Sequence, residues 1–352
     1  MADNLEVELN KSKSILYLHI GMPKTGTSTI QFILTKNEKL LYDRDVVYPK
    51  NTRYGKDDYP NAHHNLGDSL ISGKLEIWEI LEDELLKEIY GKKIIISSEV
   101  FSNLHDLNKI EWLKNYFYKV GLDNVKIIVY LRRQDDFLQS IYQTMVYNNL
   151  ITETFSEYYN IAINDNLVHK TLDYYFIVNN LWAKCFGKKN IIVRPYEKSQ
   201  LHNQSLILDF FKCLDVGLDD SFDLSRANKG ISLDLCSLEL YRNIKNMYPG
   251  NESYLLEIRK RLLESNTRKE FSSNNIITKK QSEKIMQLVK ESNNKVAKEY
   301  LEREDGILFE ENDSANLLFG DNEIDIQNEK LIKDYTEKLI KILMPDLKNI
   351  KN

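Results

Sequence analysis

Nine consecutive residues, Gly21-Met22-Pro23-Lys24-Thr25-Gly26-Thr27-Ser28-Thr29, carry much of what is needed to hold an oxyanion. The GxxxxGK[ST] loop that grips nucleotide phosphates puts its lysine directly after the second glycine. Gly21 and Gly26 have the glycine spacing, but position 27 is Thr27 and the lysine comes three residues earlier, at Lys24. Backbone N–H groups from about Thr25 to Thr29 are expected to point at an anion, with the positive end of a following helix behind them. The hydroxyls of Thr25, Thr27, Ser28 and Thr29 add donors. Pro23 stiffens the entry, and Gly26 can take a backbone conformation that other residues resist.

A nucleoside triphosphatase also needs a magnesium-binding carboxylate, usually an Asp ending a later strand. In "IIISSEVF" Ser97 and Ser98 stand where that Asp belongs, and the carboxylate arrives at Glu99. The kinase reading weakens there. Arg132, directly after "VKIIVYL", can fork onto phosphate oxygens, and Ser140 follows eight residues later. Asp135 and Asp136 suit the start of the helix that carries Ser140. His63 and His64 form an adjacent pair in a chain with six histidines, a poor arrangement for one metal because neighbours face different ways. His19, on the strand before the loop, is expected to be structural.

These groups must be positioned by a sheet. "SILYLHI" (14–20), "KKIIISS" (92–98), "VKIIVYL" (125–131) and "NIIVRPY" (190–196) are short, nearly continuous apolar runs, as in strands buried on both faces. Helical patterns over 27–41, 74–90, 107–121, 136–150 and 174–187 alternate with them. The alternation implies right-handed βαβ crossovers and an α/β fold: a doubly wound parallel sheet in three αβα layers over residues 12–215. Beyond 215 the strand signals fade. Residues 216–352 are expected to be a helical C-terminal extension packed on the core, with an acidic connector after 310.

The bulk composition agrees with a globular chain of 352 residues, 29% charged and 42% hydrophobic. A net charge of −5 supplies no global field toward nucleic acid or an anionic membrane. The N-terminus lacks a signal-peptide stretch and no apolar run is long enough to span a bilayer, so the expectation is a cytoplasmic protein without a transmembrane segment. Cys185, Cys213 and Cys236 are widely spaced and odd in number, which points to neither a disulfide framework nor a zinc site.

The loop "HIGMPKTGTSTIQ" resembles the 5′-phosphosulfate loop of sulfotransferases that use 3′-phosphoadenosine 5′-phosphosulfate (PAPS), particularly bacterial and Golgi-type carbohydrate enzymes. The resemblance implies that Lys24 lies beside the oxygen bridging sulfuryl group and phosphate, where it would neutralise charge on a leaving phosphate with no metal required. It implies that Arg132 and Ser140 bind the 3′-phosphate, that Tyr196 in "RPYEKSQL" approaches the adenine, and that Asn228, with Lys229 and Gly230 in "RANKGIS", closes over the nucleotide. Ser28 stands where a second threonine is commoner. For the base, Glu99 resembles the strand-end catalytic residue of related enzymes, while the His63–His64 segment resembles bacterial members; either histidine, His64 ahead, could serve as base or contact the acceptor. The segment 292–309 is similar to the C-terminal part of bacterial members.

The implied reaction is sulfuryl transfer from PAPS to an acceptor hydroxyl, the acceptor expected to be a saccharide or glycoconjugate. Two other readings remain at this point: a P-loop kinase or other NTPase, and a catalytically silent nucleotide-binding protein. Trp78, Trp112 and Trp182 could stack on sugars, but their helical spacing favours the core. The acceptor and the oligomeric state are left open by the sequence.

Overall fold

A computed structural model describes residues 14–54, 61–88, 90–164, 168–225, 233–250, 252–264, 276–310 and 338–339. Its centre is a five-stranded, all-parallel sheet: β1 (Ile15–His19), β2 (Val46–Val47), β3 (Lys93–Ser97), β4 (Val125–Leu131) and β5 (Ile191–Pro195). The spatial order is β2-β3-β1-β4-β5. Helices cover both faces in a three-layer α/β arrangement. The four long apolar runs become strands because isoleucine- and valine-rich segments can bury both faces of a parallel sheet. The two-residue β2 has too little pattern to be read from sequence.

Between β1 and β3 lie α1 (Thr27–Lys36), α2 (Glu38–Tyr42), α3 (His64–Ser72) and α4 (Ile77–Glu88). The helix expected over 27–41 is thus two helices, split at Asn37. The Asn37 amide donates to the Ile33 carbonyl at 2.9 Å and to the Asp223 carbonyl at 3.0 Å, and its oxygen accepts from the Asp223 N–H. A side chain that competes for helix carbonyls ends the helix. Next come α5 (Leu107–Lys119) before β4, and α6 (Gln134–Tyr147) and α7 (Phe155–Asn164) after it. A run of π-helical turns, α8 (Phe176–Ala183), leads towards β5, and α9 (Leu206–Cys213) follows β5.

One apolar cluster on the sheet combines Tyr17, Ile95, Ile128 and Tyr130 from the strands with Ile30, Ile33 and Leu34 of α1 and Phe210 and Phe211 of α9. Burying a side chain of this size contributes about 1.5–3 kcal/mol, so this face fixes α1, and hence the loop before it, against the sheet. Beneath α9, buried Asp209 pairs with Arg194, accepts from the Tyr130 hydroxyl at 2.8 Å and takes the His202 N–H at 2.8 Å. Trp78 is buried with its indole N–H on Ser69, and Trp182 is buried as well. Trp112 stacks on Tyr116 with the rings 14° apart. Core packing accounts for Trp78 and Trp182, while Trp112 is half-buried against Tyr116.

The compact units differ from the division expected at residue 215. Among the described residues, one comprises those within 14–133, 168–225 and 289–310; the other comprises those within 134–164, 233–288 and 338–339. The first regains α13 (Lys290–Tyr300) because that helix is tied back to it: Tyr175 donates to Glu299 at 2.9 Å and Lys188 pairs with Glu299 at 2.9 Å. The second is helical, built from α6, α7, α10 (Leu235–Met247), α11 (Glu252–Glu264) and α12 (Lys279–Leu288). Within it Ser282 donates to Asp135 at 2.5 Å, Tyr241 to Asn149 at 2.7 Å, and the Ile276 N–H to Gln139 at 3.2 Å. The expected helix after residue 328 and the acidic connector lie, but for residues 338–339, outside the described residues.

Candidate functional site

Parallel pairing sets the site. His19 of β1 is in register with Ser97 of β3, and β1 is flanked on its other side by β4. The carboxyl ends of β1, β3 and β4 therefore deliver the 20–26 loop, Ser98–Glu99 and Arg132 to the same edge of the sheet, where open α/β sheets bind ligands.

The loop has three residues of positive φ: Gly21 at 36°, Lys24 at 68° and Gly26 at 77°. Gly26 is the residue before α1 and has no side chain with which to cap that helix. The first-turn N–H groups of Thr27 and Ser28 thus have no partner within the helix and are available to an anion. Thr29 differs from expectation, because its N–H donates to the Gly26 carbonyl at 2.9 Å. Thr25 also differs: it is fully buried and its hydroxyl donates to the Met22 carbonyl at 2.6 Å, leaving its backbone N–H as the group to offer. Ser28 is exposed, Thr29 half-buried and Thr27 buried. A Cβ on Gly21 would approach Thr27 Cγ2 to 2.6 Å, and one on Gly26 would overlap Leu206 Cδ2 and come within 3.3 Å of the Tyr196 hydroxyl. The backbone is packed as closely as a loop that wraps an anion requires, and the first-turn donors and Lys24 suit a phosphate or phosphosulfate.

Arg132 reaches this loop directly, donating from Nη1 to the Lys24 carbonyl at 3.0 Å. Its own carbonyl accepts from the Tyr174 hydroxyl at 2.5 Å. Arg132 therefore braces the loop apex, a contact that spacing alone did not disclose. Tyr196 places its hydroxyl beside Gly26. Ser140 lies on α6, buried, in the second compact unit. Asn228, Lys229 and Gly230 fall outside the described residues.

At the end of β3 the structure brings Glu99 and His64 together. His64 Nε2 is 3.8 Å from Glu99 Oε1, and both side chains are partly open, 30% and 23% exposed. His64 Nδ1 is 2.8 Å from the Ser98 hydroxyl, and that hydroxyl also receives the Val100 N–H at 3.2 Å. The carboxylate favours a proton on Nε2, which makes Nδ1 an acceptor from Ser98. Glu99 Oε2 accepts from the Gln31 amide at 3.2 Å. The same amide nitrogen donates to Ser97 Oγ at 3.3 Å, and Ser97 is 2.8 Å from His19 Nδ1.

His63 departs from the expected acceptor role. It is fully buried; its Nδ1 accepts from the Ser97 N–H at 3.2 Å and its Nε2 lies 2.8 Å from the Pro49 carbonyl. Both nitrogens are committed to backbone, so the ring ties Pro49 to β3. Burial, above all, pushes it down to about 3 and keeps it neutral. His19 is fully buried too and is pushed down to about 3 by desolvation. Among the described residues its Nε2 has no hydrogen-bond partner.

No family model matches the chain. A protein of Archaeoglobus fulgidus described as uncharacterized is 30% identical over 215 residues, which is 59% of this chain and 53% of that protein. The chain thus spans about half the length of that relative. A sulfotransferase from Alicyclobacillus acidocaldarius of known crystal structure aligns with a TM-score of 0.39 and 15% identity, over 70% of this chain and 95% of the other. Neither similarity assigns an activity, and the function rests on the geometry of the site. Among the described residues no helix is long and apolar enough to cross a membrane.

Proposed function

We propose that this chain is a sulfotransferase that moves a sulfuryl group from PAPS to an acceptor hydroxyl, the acceptor being a saccharide or glycoconjugate. The observation that carries the reading is the arrangement at the end of β3. Ser97 and Ser98, where a triphosphatase needs its magnesium carboxylate, are committed to His19, Gln31 and His64, while Glu99 is held by Gln31 and faced by His64 as a base would be.

The donor supplies the sulfuryl group and, on its departure, a nucleotide phosphate as leaving group. The chain's own residues have separable tasks. The N–H groups of Thr27 and Ser28, with the hydroxyls of Thr27, Ser28 and Thr29 and the backbone of Thr25 and Gly26, hold the 5′-phosphosulfate at the start of α1. Lys24 places an ammonium against charge growing on the bridging oxygen as the S–O bond breaks. Arg132 braces the Lys24 carbonyl and forks onto the 3′-phosphate, and Tyr196, beside Gly26, approaches the rest of the nucleotide. Glu99 receives the proton of the acceptor hydroxyl while that oxygen bonds to sulfur. His64 orients Glu99 and contacts the acceptor.

Thermal shift with 3′,5′-adenosine bisphosphate against ATP plus magnesium tests this. At about a hundred times its dissociation constant the bisphosphate should stabilise by roughly 2.7 kcal/mol, and Arg132→Ala should abolish the shift. Stabilisation by ATP with magnesium, and none by the bisphosphate, overturns the reading in favour of a kinase.

A further inference from the structure

Gln31 closes the segment HIGMPKTGTSTIQ without a role assigned to it there, yet it links the two halves of the chemistry. It sits one turn below Thr27 on α1, and residues four apart share a helix face. That face carries the anion donors at its tip and, at Gln31, the amide that meets the β3 end. The side chain is 2% exposed. Its Nε2 has two hydrogens and two acceptors, Glu99 Oε2 at 3.2 Å and Ser97 Oγ at 3.3 Å. A carboxylate oxygen can only accept, so the amide orientation is fixed by its partner. Ser97, receiving this hydrogen, can give its own to His19 Nδ1 at 2.8 Å, and that ring is kept neutral by burial.

We infer that Gln31 is a positioning residue for the base, resting on the sulfotransferase reading. It holds Oε2 of Glu99 against α1 and so turns Oε1 toward His64 and the acceptor. Because the same helix presents its N-terminus to the donor, donor position and base position are set by one rigid element. A carboxylate released from Gln31 keeps its charge but loses its aim, and misplacement of about 1 Å can cost on the order of a hundredfold in rate. Donor binding should be untouched, since Gln31 contributes nothing at the helix tip.

The test compares wild type with Gln31→Met, similar in size but without a donor, and Gln31→Asn, which keeps the amide one bond shorter. Three readouts are taken: kcat for sulfuryl transfer, affinity for 3′,5′-adenosine bisphosphate by calorimetry, and the Gln31 side-chain amide signals in 1H–15N spectra of wild type and Glu99→Ala. Support is a fall in kcat of roughly tenfold to a hundredfold in Gln31→Met with bisphosphate affinity within about twofold, partial recovery in Gln31→Asn, and amide signals that move in Glu99→Ala. Parallel loss of kcat and bisphosphate affinity would show that Gln31 merely packs α1, and overturns the inference. Amide signals indifferent to Glu99→Ala, in a protein that binds the bisphosphate, overturn it as well and leave the sulfotransferase reading standing. A wild type that shows the amide coupling but does not bind the bisphosphate overturns the sulfotransferase reading instead.

Discussion

Replacing Gly26 by alanine tests how tightly the anion loop is built. At φ 77° an L-residue carries the left-handed penalty, about 1–2 kcal/mol. The new methyl would also overlap Leu206 Cδ2 and sit 3.3 Å from the Tyr196 hydroxyl. Overpacking of this kind costs about 1–3 kcal/mol, towards the lower end here because the Leu206 methyl ends a flexible side chain. The expected loss is therefore about 2–4 kcal/mol in urea denaturation. A double-mutant cycle with Leu206→Ala separates the parts: the clash should disappear as a coupling of about 1–2 kcal/mol, while the backbone penalty remains. Bisphosphate affinity should fall in both Gly26 variants, because the residue before α1 aims the Thr27 and Ser28 N–H groups. A loss under about 0.5 kcal/mol, or no coupling to Leu206, would refute the packing argument.

The remaining predictions concern pH and the loop lysine. His19 and His63, pushed down to about 3, stay neutral in the folded chain, whereas in the unfolded chain they take up protons below about 6.5; stability should be full above that pH and fall as it drops towards 3, by about 2 kcal/mol per ring at pH 5. Urea midpoints between pH 7 and 5 check this, and an unchanged midpoint contradicts it. Lys24→Gly relieves a non-glycine residue at φ 68° and should leave stability unchanged or raise it by up to about 1 kcal/mol, while sulfuryl transfer falls by two orders of magnitude or more. Retained transfer in that variant would remove Lys24 from the chemistry.

The sheet was legible because each long strand is a continuous apolar run between helical patterns, and the loop because its glycines, lysine and hydroxyls sit between such a run and a helix. What escaped has identifiable causes. The break at Asn37 depends on an acceptor at Asp223, nearly two hundred residues away in sequence. The division into units depends on α13 returning to Tyr175 and Lys188, which periodicity does not encode. In sequence the paired histidines shared one candidate role, with His64 ahead. In the structure His63 precedes α3 and His64 opens it, so one ring turns to the backbone of β3 and Pro49 while the other meets Ser98 and Glu99. Adjacent positions on a helix diverge by about a quarter turn or more, so a shared role was excluded by geometry rather than by composition.

The choice between Glu99 and His64 as the base turns on the same hydrogen-bond accounting. His64 has one nitrogen on the Ser98 hydroxyl and the other facing a carboxylate, and in that field its remaining proton belongs on Nε2. A ring in this state has no lone pair left for an acceptor hydroxyl. Glu99 has the opposite inventory: one oxygen is fixed by the Gln31 amide, while the other faces a His64 nitrogen 3.8 Å away, beyond a normal hydrogen bond. That oxygen keeps lone pairs that a hydroxyl proton can reach. As the proton arrives, the carboxyl loses its charge, and the Gln31 amide keeps it from swinging out of line. On the proposed reading Glu99 is therefore the group to take the proton, with His64 facing it.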